Sequence, residues 1–166
     1  MFFILIISVF ILDQITKIAA VKFLMLKSAI EIIPNIFHLR YAENRGAAFS
    51  LFSNYPQLLT IISLILVPIL LIWGIKIDKG NKIDKIAFGL ICGGAIGNVF
   101  DRVVRGYVID FIDVHWKDIY HWPTFNIADS AICIGIGFFI YANFFRKNTN
   151  SIELSSSSDN VKEENV

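Results

Sequence analysis

Asp13 and Lys17 stand four residues apart inside an otherwise apolar run, and Asn98, Asp101 and Arg102 close a second such run. An ionised side chain at membrane depth costs about 2.5 to 3.5 kcal/mol on insertion scales, so each needs a partner, a water-filled cavity or a neutral form. Asp13 and Lys17 at (i, i+4) share a helix face and can neutralise each other, which makes a structural ion pair the first reading of both. Asn98, Asp101 and Arg102 also fall on one helix face. Two further carboxylates sit at the ends of apolar runs: Asp110 follows one, and Asp129 opens the next with Asn126 three residues before it. At that spacing Asn126 points the same way as Asp129 and can hold a carboxylate by a hydrogen bond.

Two carboxyl groups in a partly desolvated site cannot easily both ionise, so one keeps a proton while the other serves as a base. That is the pair needed to hydrolyse a peptide: one Asp activates water, the other polarises the scissile carbonyl and later protonates the amine. Each also has a structural reading, Asp129 as a helix cap and Asp110 as a loop charge. Other chemistries have less support. No His-Glu-x-x-His occurs, and His38, His115 and His121 are scattered through different segments, which argues against a zinc peptidase. Ser130 lacks a Gly-x-Ser-x-Gly elbow.

The elements that must position these groups are apolar helices. Hydrophobic residues make up 55% of the 166 residues and charged ones only 17%, against roughly 25% charged in an ordinary soluble domain. Four stretches, roughly residues 2–26, 56–75, 86–105 and 126–145, reach the ~20 residues a helix needs to cross a bilayer. A cleavable signal peptide at the N-terminus is disfavoured because no Lys or Arg precedes Phe2 and Asp13, Gln14, Thr16 and Lys17 interrupt the run. Lys76, Lys79, Lys82 and Lys85 between helices 2 and 3, with Arg146 and Lys147 after helix 4, place those ends in the cytoplasm. The N-terminus is then cytoplasmic too. Residues 27–55 and 106–125 face outward, and counting along the helices brings the polar groups together in the outer leaflet.

Phe37-His38-Leu39-Arg40-Tyr41 alternates apolar and polar residues as a surface strand does, and Asn44-Arg45-Gly46 supplies a turn. Trp116, Tyr120, Trp122 and Pro123 suit an interfacial loop. Gly89, Gly93 and Gly97 form a close-packing stripe. Cys92 and Cys133 lie inside apolar blocks and read as buried structural thiols. Residues 148–166, with four consecutive serines and Glu163-Glu164, are too polar to bury a core and read as a disordered cytoplasmic tail. The formal charge of +1 offers no electrostatic case for a nucleic-acid partner.

Five motifs, in order, resemble those of the lipoprotein signal peptidases, or signal peptidase II: Asp13-Gln14-Ile15-Thr16-Lys17, Asn44 to Ser50, Gly97 to Arg102, Val108 to Ile112, and Phe125 to Ser130. The resemblance covers residues 2 to about 145. It implies a bacterial inner-membrane aspartic endopeptidase: a four-helix transmembrane bundle over residues 1–147, with a small extracytoplasmic β-cradle between helices 1 and 2 and an interfacial loop or short helix between helices 3 and 4. The implied substrate is a prolipoprotein carrying diacylglycerol on the cysteine after the cleavage point. Asp110 and Asp129 would be catalytic; Asn44, Gly46, Asn98, Arg102, Asn126 and Ala128 would bind substrate or shape the site; Asp13, Lys17 and Asp101 would support it. No metal or organic cofactor is implied, the partners are substrate and membrane lipid, and a monomer is expected. The alternatives are a small transport component that relays protons or ions through Asp13, Lys17, Asp101 and Asp110, and a packing subunit that uses the glycine stripe.

Overall fold

The computed structural model of the chain describes residues 1–27, 29–46, 55–77, 82–117 and 119–144. The tail expected over residues 148–166 lies outside them. Four helices are long and apolar enough to span a membrane: α1 (Phe2–Leu24), α2 (Pro56–Lys76), α3 (Lys82–Arg105) and α4 (Ile127–Phe144). At about 1.5 Å per residue they match the ~30 Å hydrocarbon thickness, and their ends fall within a few residues of the expected ones.

The helices are inside out relative to soluble ones. On α1, Ile4, Ile7, Ile11 and Ile15 are exposed, whereas Asp13 and Lys17 are buried. Lipid covers the apolar face, so the interior is free to hold polar groups that satisfy one another. α3 packs against both α1 and α4 through its glycines. A side chain at Gly89 would strike Leu5, one at Gly93 would strike Val9, and one at Gly97 would strike the Asp13 carboxylate. A Cβ on Gly94 would run into the backbone oxygen of Ala128 on α4. The expected packing stripe is therefore the α1–α3 seam, and Gly94 opens a second one. Gly106, at φ 81° just past α3, ends the helix in the left-handed conformation that glycine tolerates.

One sheet joins the ends of these helices. Its antiparallel order is β1 (Ile30–Ile33), β2 (Phe37–Asn44), β3 (Val108–Trp116) and β4 (Tyr120–His121). The segment between helices 3 and 4 thus departs from the expected interfacial loop or short helix: its first half pairs with β2, from Phe37 opposite Val114 to Asn44 opposite Val108. The run Val108-Ile109-Asp110-Phe111-Ile112 is rich in the β-branched and aromatic residues that suit a pleated surface, and β2 offered it an open edge. Phe125 adds a bridge to Ile112. Ile109 and Phe111 pack on Ala20 and Leu24 at the end of α1, which seats the sheet on the bundle. The three histidines, dispersed in sequence, converge: His38 lies opposite Asp113, and His115 opposite His121.

Candidate active site

The site is built outward from a closed ion network. Lys17 Nζ reaches Asp13 and Asp101, both at 2.9 Å, and the Asn98 side-chain oxygen at 3.0 Å. An ammonium has three hydrogens, and here each has an acceptor. Asp13 also accepts from the Ala128 backbone N–H at 3.0 Å and from Gln14 at 3.0 Å. Asp101 accepts from the Ile109 N–H at 3.2 Å, from Gln14 and from Arg105. All three ionic side chains are fully buried. Through these bonds α1 grips the start of α4, the end of α3 and the start of β3 at one place.

Asn98 carries the network to the second layer. Its side-chain amide donates to Asp129 Oδ1 at 2.8 Å while its oxygen takes Lys17. Asn126 lies between the two remaining carboxylates. Its Nδ2 is 2.7 Å from Asp110 Oδ1 and 3.1 Å from Asn98 Oδ1, and its Oδ1 accepts from the Asp129 N–H at 2.9 Å. Asp129 Oδ2 in turn accepts from the Asn126 N–H at 3.2 Å. This reciprocal pair is a capping box that starts α4. Asp129 therefore does cap its helix, with one oxygen, and presents the other to Asn98. Asp110 comes from β3, where Asn44 of the facing β2 donates to its Oδ2 at 2.9 Å.

Asp110 is 1% exposed. Burial, and after it the neighbouring charge of Asp129, pushes its carboxyl up to about 7, against the hydrogen bonds from Asn44 and Asn126 that pull it down. A cavity of about 560 Å³ opens beside the pair, lined by Asn44, Asn98, Arg102 and Asp129 on its polar side and by Trp122, Pro123 and Phe125 from the segment before α4. Asp110 is bonded by Asn44, which lines the cavity, and by Asn126. Arg102 donates to the carbonyls of Gly46 and Asn98 at 3.3 and 3.5 Å, and Arg105 occupies Asp101 in its place. Arg102 thus serves the cavity rather than the ion network, with Asp129 and Asp110 as its main charged neighbours.

Of the residues expected here, Asn44, Asn98, Arg102, Asn126, Asp110 and Asp129 form one hydrogen-bonded constellation. Asp13, Lys17 and Asp101 form the network beneath it. Gly46 joins through its N–H to Asn44 Oδ1 and its carbonyl to Arg102. Ala128 is fully buried at the α3–α4 contact and acts through its backbone and small size, away from the cavity lining. Gln14, Arg105, Thr124 and Phe125 have no role in the sequence reading. Gln14 is legible as part of a polar interruption in an apolar helix, and both it and Phe125 lie inside the family motifs, whereas Arg105 and Thr124 lie outside them. Cys133 departs from the buried-thiol expectation: Cys92 is buried, but Cys133 is exposed and lines the cavity, because it lies one turn beyond Asp129 on the same face of α4.

A four-helix membrane bundle with a carboxylate pair under a small sheet defines a membrane-embedded aspartic peptidase. Residues 5–145 match the peptidase family described as Signal peptidase (SPase) II. The lipoprotein signal peptidase of Syntrophotalea carbinolica is 43% identical over 135 residues, 80% of this chain and 83% of that one. That of Clostridium acetobutylicum is 41% identical over 142 residues, covering 85% and 91%. A bacterial membrane enzyme solved in meso at 2.3 Å resolution superposes with a TM-score of 0.76 at 33% identity, covering 89% of this chain and 88% of the other. The chain belongs to the signal peptidase II family of bacterial multi-pass membrane proteins and is an aspartic peptidase.

Proposed function

We propose that Asp110 and Asp129 are the catalytic pair and cleave the signal peptide from diacylglyceryl-modified prolipoproteins on the amino side of the lipidated cysteine. Removal of signal peptides from prolipoproteins is the activity of the family. The observation that carries the residue assignment is the amide frame around the two carboxylates: Asn126 bonds Asp110 and caps with Asp129, while Asn98 bonds Asp129 and accepts from Lys17. Because burial and the neighbouring charge of Asp129 push the Asp110 carboxyl up against those bonds, the pair holds one proton between its two members. The ionised member takes a proton from a water whose oxygen attacks the scissile carbonyl, and the protonated member donates to the carbonyl oxygen. Collapse of the tetrahedral diol returns a proton to the departing amine and releases a free carboxyl end.

Asn44, Gly46, Asn98, Asn126 and Ala128 shape this frame, and Arg102 offers its planar fork to a substrate carbonyl or lipid ester oxygen. Asp13, Lys17 and Asp101 hold the helices beneath it. The lysines between α2 and α3 support a bacterial inner-membrane orientation with both termini in the cytoplasm, which puts the pair toward the outer leaflet. Acyl chains then stay in hydrocarbon, at about 0.8 kcal/mol per buried CH₂, while the peptide reaches the polar boundary. A single copy contains the whole frame, and we assign a monomer.

The test is mass spectrometry of a diacylglyceryl-modified prolipoprotein incubated with purified wild type, Asp110→Asn and Asp129→Asn. Wild type should cut before the lipidated cysteine, and each variant should lose about 10²- to 10⁴-fold in rate, the range general acid–base groups supply, while remaining folded. Wild-type-like cleavage by either variant refutes the pair.

A further inference from the structure

On the face of the sheet away from Asp110, four residues gather that the peptidase chemistry does not use. Side chains alternate faces along a strand, so Asp113 and His115 of β3 turn opposite to Asp110. Their cross-strand partners, His38 on β2 and His121 on β4, fall on the same face. One ligand atom from each of His38, Asp113 and His115 lies within 4.8 Å of the other two. Each residue also has a buried atom that lacks a hydrogen-bond partner, His38 Nε2, Asp113 Oδ1 and His115 Nδ1, and Asp113 and His115 are more than nine-tenths buried. An unsatisfied buried polar atom costs about 1 to 3 kcal/mol, and three in one cluster are rarely left so. Among the described residues, Arg40 holds the other Asp113 oxygen at 3.3 Å, Glu31 Oε1 stands 3.5 Å from His38 Nε2, and His121 Nδ1 is 4.0 Å from Asp113 Oδ1.

We propose that His38, Asp113 and His115 bind a divalent transition-metal ion that clamps β2 to β3. Two imidazoles and a carboxylate are the donor set that suits zinc and its first-row neighbours. Zinc–nitrogen bonds of about 2.0 to 2.1 Å in a tetrahedron place ligand atoms about 3.3 Å apart. The cluster therefore has to close by at most about 1.5 Å, the scale of a side-chain torsion adjustment. Arg40 orients the carboxylate from behind, as outer-shell partners of metal ligands do. The fourth position goes to water or to His121, which stacks on His115 with ring centroids 5.0 Å apart. The site is structural: it lies on the opposite face of β3 from Asp110, and no step of peptide hydrolysis passes through it.

The experiment is zinc titration of the full chain, purified without a histidine tag and stripped with chelator, read by isothermal calorimetry. The absorption of the cobalt(II)-loaded protein reports the coordination geometry. Wild type and the Asp110→Asn/Asp129→Asn variant should each bind one zinc ion per chain, and cobalt should show a tetrahedral spectrum. His38→Gln and His115→Gln should each weaken zinc at least about tenfold and abolish the rise in Tm that zinc produces in wild type. His38 is partly exposed, so its variant serves even where His115→Gln fails to fold. The proposal is overturned if wild type binds no zinc, if both histidine variants bind as wild type does, or if binding vanishes in the Asp110→Asn/Asp129→Asn variant, which would place the metal at the carboxylate pair.

Discussion

Lys17 neutralises two buried carboxylates at once, at 2.9 Å each, and so cannot be removed without leaving both uncompensated. Lys17→Met should cost about 3 to 5 kcal/mol, the cost of breaking a buried ion pair, seen as a lower unfolding temperature in detergent. A melt equal to wild type would show that the network is dispensable. Asp110 gives a different signature. Its carboxyl has an ordinary value of 3.8 and is pushed up to about 7 in the folded chain, so between those pH values the folded state holds a proton that the unfolded chain has released. Stability must then fall as pH rises through that window and level off above it. Melting curves of wild type and Asp110→Asn from pH 4 to 8 should show a slope for Asp110 in wild type that the variant lacks; parallel profiles would remove the basis for a shared proton.

Among the elements, α3 decides the packing. Gly94→Ala drives a methyl into the Ala128 carbonyl, and a backbone neighbour cannot step aside, so a loss of about 1 to 3 kcal/mol is expected. Gly137→Ala on α4 meets nothing within 4 Å and should stabilise by about 0.4 to 1 kcal/mol through helix preference. Thermal unfolding of the two variants side by side checks the pair, and a shift of the same sign in both would contradict the packing. The ends of α1 and α2 and the start of α4 are readable because apolar length is a strong signal. The fate of 106–125 was not. Its aromatic residues suit a membrane interface and a strand equally, and what chose the strand was the unpaired edge of β2, brought there by a contact far away in sequence.

At the scale of the whole molecule, the orientation assigned from the lysine-rich connection has a direct check. In a background with Cys92 and Cys133 replaced by serine, Trp116→Cys should react with a membrane-impermeant maleimide on intact spheroplasts, and Lys79→Cys only after lysis. The reverse pattern would invert the assignment. By itself the sequence determined four spans, the i,i+4 pairing of Asp13 with Lys17, the glycine seam and the five motifs, because each is a matter of local spacing and of the cost of polar groups in lipid. Only the tertiary structure decided that Asp101 completes the Lys17 network, that Arg105 rather than Arg102 takes its other oxygen, and that Asn126 joins Asp110 to Asp129. It also brought His38, Asp113 and His115 to one point. These depend on register between strands and on the angle at which helices meet. Both are settled by packing among residues distant in the chain, and a single sequence carries no periodic signal for them.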